Sequence, residues 1–450
     1  MSIALGLDFG TSSLKCLLVG AGAPQIVTSP YREQGPRGMI TALADSLKEL
    51  KVPLHKIESV GLSGQTGTYC VTSRDLNITH LWLPWHEPGR EAALARALEQ
   101  FDPARFIAYI GMAHPRLASY PLPTLLWLGE RYPELTQSRD ILILQPKDYM
   151  CGLLTGGCLS DRGSWRGLAR AMDYSPELLD YAGIDAQKLP VLAEWGQVDR
   201  RGAELTGFSQ GTPVAVGQND FYSALTGMGL SGPGDCFDVT GTSEHLGVIT
   251  GSLCRSQLIA SPYRDSYAHY GVTASSGRSL DFARKNFMAD EPSIPRRAPL
   301  FLPYLAGERA PVFDSGARGL MVGLTDASDR EIMAYSVMEG VVFSLYDIYQ
   351  ALGEPLIHSI RATGGASASR LLGRLKASLF GVPYLCEELT CGSAMGAAKL
   401  AGGIWERRER AYEPEAELTD FMRARFEGYR RLYGAWRHIA EGLDTGSFFG

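Results

Sequence analysis

At 450 residues and 45% hydrophobic content, the chain is long enough for two or three domains with sizeable cores and too apolar for a disordered or fibrous protein. Its net charge of −6, with acids and bases interspersed, offers no basic face for nucleic acid or an anionic membrane, so a small molecule is the expected partner. No apolar run is long enough to cross a bilayer and Asp8 interrupts the first one, which points to a cytoplasmic protein without a secretory leader. The eight cysteines include no Cys-x-x-Cys and pair with no histidine spacing, which fits reduced thiols and argues against structural zinc.

In chain order, Ile3 to Leu7 and Leu14 to Val19 read as strands joined by Asp8-Phe9-Gly10-Thr11-Ser12. Strands at Ile57 to Leu62 and Ile141 to Leu144 then alternate with helices over Glu91 to Gln100 and around Leu125 to Glu130, the pattern of an α/β domain. Pro213 to Val216 is a further strand, running through Gly217-Gln218-Asn219-Asp220 into a helix over Phe221 to Met228. The Gly229 to Asp235 stretch is the expected boundary, giving domains 1–230 and 231–450.

Past that boundary the opening phrase recurs as Asp238-Val239-Thr240-Gly241-Thr242-Ser243, between strand-like Cys236 to Val239 and Leu246 to Ile249. Gly10 and Gly241 stand 231 positions apart, about half the chain, which suggests a duplicated domain with one turn per copy. A helix over Asp329 to Leu352 follows, then a strand at Ile357 to Ala362 opening into Gly364-Gly365-Ala366 and a helix through Phe380. Gly392 to Gly402 reads as a small-residue helix able to approach its neighbours closely.

Glycine lets a backbone bend sharply around an anion, and the hydroxyls and amides after it can point at phosphate oxygens. Each Gly-Thr-Ser, taken alone, reads more readily as an ordinary hairpin turn, and the Gly364-Gly365 pair is either a plain tight turn or a place where a flat ligand or a phosphate meets the backbone and a helix N-terminus. Phosphoryl transfer needs such clamps, a divalent ion and a carboxylate to deprotonate the attacking hydroxyl. Asp8, beside the first turn, is placed to hold Mg²⁺ through water or else to close an Asx turn. Asp220 is either the base or a helix N-cap.

Taken together and in order, these pieces resemble the FGGY carbohydrate kinases of the actin-like, hexokinase-like ATPase superfamily, the xylulokinase type in particular. Asp8 to Lys15 is similar to the family's first phosphate motif, Ser63-Gly64-Gln65 to its sugar loop and Gly217 to Asp220 to the segment ending in the base. Gly241 to Ser243 is similar to the second phosphate motif, Phe301 to Pro311 to a second-domain signature and Gly364 to Ala366 to the adenosine motif. The resemblance implies two ribonuclease-H-like α/β domains with an interdomain active-site cleft, and ATP-dependent phosphorylation of a ketopentose or small polyol, with a homodimer as a possible assembly. It implies Asp220 as catalytic base, Asp8 on Mg²⁺, and Gly10, Thr11, Ser12, Lys15, Gly241, Thr242, Gly364, Gly365 and Ala366 on ATP. Gln65, Thr66, Trp85, Glu87, Tyr120 and Phe221 fall on the sugar side.

That side departs from the family pattern. Gln65 is followed by Thr66-Gly67-Thr68 in place of Met-His-Gly, Trp85 to Arg90 carries one extra residue before its arginine, and Phe221 stands where an amide often reaches a sugar hydroxyl. An apolar ring cannot donate that bond, so a shorter or differently held substrate is expected. The same departures keep open a second class of function, a sugar-sensing protein that retains the fold without turnover.

Overall fold

The computed structural model describes residues 2–112, 117–241, 243–253, 258–287 and 291–441. They form two compact units, one of Met1–Gly229, Ser261–Asp265 and Cys391–Glu406, the other of Leu230–Ala260, Ser266–Thr390 and Arg407–Gly450.

The first unit is organised around strand Ala4–Phe9, whose six residues are all buried, as in a central strand covered on both faces. It runs antiparallel to Ser13–Val19 and parallel to Ser59–Gly64. Antiparallel Gln25–Pro30 extends the sheet on one side; parallel Pro213–Asn219 and then antiparallel Trp195–Gln197 extend it on the other. A smaller sheet of Thr79–Leu83, Tyr69–Ser73 and Ile141–Leu144 carries a second core with helix Pro121–Arg131.

The second unit repeats the arrangement. Cys236–Thr240 runs antiparallel to Glu244–Thr250 and parallel to Ile360–Gly364. Antiparallel Ser266–Thr273 lies beyond the first neighbour; parallel Tyr384–Glu387 and antiparallel Glu409–Tyr412 lie beyond the second. Each Gly-Thr-Ser connects a central strand to its antiparallel neighbour, so the sequence repeat corresponds to a repeated strand order. Helix Arg330–Ala351 starts one residue later than expected because Asp329 is its cap, accepting the Ile332 amide at 2.9 Å.

The expected cut near residue 230 does not separate the units cleanly, because helix Gly392–Leu400 belongs to the first. It seats on the central strands and on helix Asp220–Gly227 through backbone-to-backbone approach. A Cβ on Gly6 would lie 2.2 Å from the Ala394 carbonyl oxygen, one on Gly61 1.9 Å from that of Ala397, and one on Gly396 1.8 Å from that of Ser223. Only glycine permits such contacts, and nothing local in the sequence says which distant strand a small-residue helix will meet.

Candidate active site

In the first unit, the sheet register sets Asp8 between Lys15 on one neighbouring strand and Ser63 on the other. The Ser63 hydroxyl donates to Asp8 Oδ1 at 2.9 Å. Gly10 closes the turn, its amide donating to the Asp8 and Ser13 carbonyls, and Thr11 and Ser12 stand exposed at the tip. Gln65, almost fully buried, donates from Nε2 to the Gly10 carbonyl at 3.2 Å and thereby ties the segment after strand Ser59–Gly64 to this turn. Burial and then the charge of Asp220 push the Asp8 carboxyl up to about 6, against the pull of Lys15 and the Ser63 hydrogen bond.

Asp220 is the first residue of its helix but not the cap. Asn219 holds that position, its Oδ1 accepting the Tyr222 amide at 3.0 Å and its Nδ2 donating to the Gly163 carbonyl at 2.9 Å. The Asp220 carboxylate instead accepts from the Thr66 hydroxyl at 3.0 Å and from the Phe221 amide at 2.8 Å, both on Oδ1. A bulge in the preceding strand aims it there, around Gly217, where φ is +77° and an added Cβ would lie 1.6 Å from the Leu62 carbonyl oxygen, which excludes a side chain. Burial raises the Asp220 pKa; Thr66, the Phe221 amide and the charge of Arg166 oppose the rise.

Arg166 belongs to no motif that would single it out in the sequence. Its guanidinium lies 5.0 Å from the Tyr120 ring centroid and 5.1 Å from that of Tyr222, with Nε donating to the Tyr120 hydroxyl at 3.0 Å. Tyr120, buried with its hydroxyl on Arg166, therefore acts first on that cation. Trp165 is fully buried, donates to Asp148 and packs edge-on against Tyr69 and Tyr174. Arg90 is spent on the loop itself, donating to the Pro84, Trp85 and Gly67 carbonyls and the Thr124 hydroxyl. The Trp85 ring and Glu87 are exposed, although the Trp85 amide joins the Gln65 cluster by donating to Thr68, which in turn donates to Gln65. Phe221 is buried against Tyr222.

In the second unit, Thr240 knits the hairpin at Gly241 to the glycine turn at Gly364. Its hydroxyl donates to the Thr363 carbonyl and accepts the Ala366 and Ser367 amides at 3.1 and 3.2 Å. Gly364, at φ +106°, passes so close that a Cβ would sit 1.9 Å from the Thr240 carbonyl oxygen. Gly241 leads out of the strand; Thr242 lies outside the described residues.

The helix N-terminus that follows is not open to a phosphate. Glu291 accepts the Arg370 and Leu371 amides at 3.0 and 2.9 Å, and Ser369 caps Leu372. A carboxylate on those amides repels an anion, so of the two ligands admitted by the glycine pair the structure favours the flat one. A cavity of about 230 Å³ lies beside it, lined by Gly365, Ala366, Leu280, Met338 and Leu372 together with Arg284, Glu291 and Ser369.

Residues 3–227 match the N-terminal domain and 238–404 the C-terminal domain of the FGGY family of carbohydrate kinases. The chain is 26% identical to a xylulose kinase of Bacillus subtilis (strain 168) across 99% of both chains, and 29% identical to a glycerol kinase of Gloeobacter violaceus across 89% of this chain and 88% of that one. The crystal structure of a xyloylose kinase from Brucella ovis superposes with a TM-score of 0.84 at 28% identity, covering 97% of this chain and all of that one. With both halves of its length matched, and with the actin-like strand order repeated in both units, this chain belongs to the FGGY family of carbohydrate kinases.

Proposed function

We propose that this carbohydrate kinase transfers the γ-phosphate of ATP to a hydroxyl of a ketopentose or small polyol of the xylulose or ribulose kind, with Asp220 as the base. The observation that carries the assignment is that Asn219 takes the helix cap and leaves the Asp220 carboxylate to Thr66 and the Asp8 neighbourhood. A base is most effective when its pKa lies near the working pH, and burial moves Asp220 upward from the ordinary carboxylate range. Its oxygen would take the proton of the attacking hydroxyl.

The donor set suits a hydrated divalent cation. Asp8 and Asp220 are both carboxylates, the charge of Asp220 makes ionisation of Asp8 more costly, and Mg²⁺ is commonly held by one or two carboxylates with its waters retained. Asp8 would hold the ion, which when bound would neutralise charge on the phosphate oxygens. Gly10, Thr11, Ser12 and Lys15 in one unit, and Gly241 and Thr242 in the other, would grip phosphates; Gly364, Gly365 and Ala366 would line the adenosine side. Gln65, Thr66, Trp85, Glu87, Tyr120 and Phe221 would border the acceptor, Phe221 favouring one with no hydroxyl to satisfy there.

The test is ADP release with ATP and Mg²⁺ across ketopentoses, tetritols, glycerol, aldonates and deoxy sugars, with Asp220→Asn alongside. One acceptor with rapid turnover, lost about 10²- to 10⁴-fold in the variant with the KM for ATP little changed, is the expected result. ATP binding without turnover on any acceptor would return the sugar-sensing reading.

A further inference from the structure

Beneath the turn at Gly241 lies a buried charged cluster. Asp238, Glu244 and Lys376 are each at most 1% exposed, as is Tyr384. Lys376 Nζ donates to Asp238 Oδ2 at 2.6 Å, to Glu244 Oε1 at 2.5 Å and to the Tyr384 hydroxyl at 3.0 Å, while that hydroxyl donates to Asp238 Oδ2 at 2.5 Å. One ammonium thus faces two carboxylates. Among the described residues, Asp238 Oδ1 and Glu244 Oε2 are buried without a hydrogen-bond partner.

Two orphaned carboxylate oxygens and one uncompensated negative charge are cured together by a single proton, because a protonated carboxyl can donate to its neighbour and leave the cluster neutral. We propose that Glu244 carries this proton, donates it as a hydrogen bond to Asp238, and so acts as a positioning residue that sets the turn opening at Gly241 for the phosphates of ATP. The positioning role rests on the ATP assignment above.

The connectivity supports that role. Glu244 is the first residue of the strand after the turn and pairs with Thr240, the last residue of the strand before it. Thr240 holds the Ala366 and Ser367 amides, and Lys376 lies on the helix just beyond them. The residues on either side of the turn are therefore both held, Thr240 to Ala366 in the cavity wall and Glu244 to Lys376. Around Glu244, the neighbouring strand contributes Thr273, whose hydroxyl is committed to Glu308; the Tyr384 strand adds Cys386, whose thiol burial pushes up to about 12 and so keeps neutral. His245, the next residue along, faces the opposite side of the sheet, against Tyr270. Burial, then the charge of Asp238, lift Glu244 to about 8 against the pull of Lys376. Loss of the proton above that pH leaves two buried anions on one cation and loosens the turn.

Calorimetric titration of the full chain with ATP between pH 6.5 and 9.5 reads the consequence. If only the protonated form binds, affinity falls with the protonated fraction, about tenfold at pH 9. Glu244→Gln, whose amide still donates to Asp238 but cannot ionise, is expected to flatten the profile, and Glu244→Ala to weaken binding throughout. Infrared titration gives an independent readout: a protonated-carboxyl carbonyl band present at neutral pH, lost at alkaline pH and missing in Glu244→Gln. A wild-type protein without that band, or a Glu244→Gln profile identical to wild type, overturns the proposal. Absence of ATP binding at every pH overturns the positioning role through the ATP assignment, while the band still decides the shared proton.

Discussion

Substituting alanine for Gly396 tests how closely the small-residue helix must seat for chemistry to proceed. In an isolated helix the change is favourable by about 1 kcal/mol, since alanine is the better helix former. Here the added Cβ would lie 1.8 Å from the backbone oxygen of Ser223, whereas real Cβ atoms essentially never come within 3.0 Å, so the two helices must part by at least about 1.2 Å. A backbone carbonyl has no rotamer by which to yield. The expected cost is about 1–3 kcal/mol of stability, an apparent melting shift of about 2–4 °C per kcal/mol. Because Ser223 sits one turn beyond Asp220 on the same helix, the displacement carries the carboxylate with it, and a misplacement of ~1 Å can cost about 100-fold in kcat. Gly434, in helix Leu432–Glu441, is the matched control: a Cβ there meets nothing within 4 Å among the described residues, so Gly434→Ala should stabilise by about 0.5–1 kcal/mol and leave kcat alone. Differential scanning calorimetry and the ADP-release assay on both variants decide the matter. A Gly396→Ala protein with wild-type melting and turnover would refute the packing argument.

Two further perturbations bear on the carboxylates. Asp8 titrates near 6 in the folded protein against an ordinary 3.8, so the folded state holds a proton the unfolded chain has already lost, and stability falls as pH rises from about 4 to 6. Asp8→Asn removes that cost and should be inactive yet more stable by roughly 1–3 kcal/mol at pH 7, with the difference vanishing below about pH 4, as urea unfolding at both pH values would show. Arg166→Met withdraws a cation that holds the Asp220 pKa down, so the acid limb of kcat/KM against pH should move to higher pH; an unmoved limb would remove Arg166 from the account.

The groups legible along the chain are those whose meaning is local. A strand ending in Asp8 and a glycine turn, its repetition at Asp238 to Ser243, and a strand running through Gly217 into the Asp220 helix are short-range patterns, set by apolar runs and by the conformations glycine allows, and they were enough for the family and the fold. The choice between Asn219 and Asp220 as helix cap turned on a single residue's backbone angles, and only the folded chain shows the cap on Asn219. Everything made by long-range contact was silent beforehand: Arg166 between Tyr120 and Tyr222, Glu291 on the amides of a helix about eighty residues later, Lys376 between Asp238 and Glu244, and the Gly392–Leu400 helix seated on strands near the N-terminus. A salt bridge or a backbone seat between distant residues leaves no periodicity in either segment. Burial, which turns those neighbours into pKa shifts, exists only once the chain has folded around them.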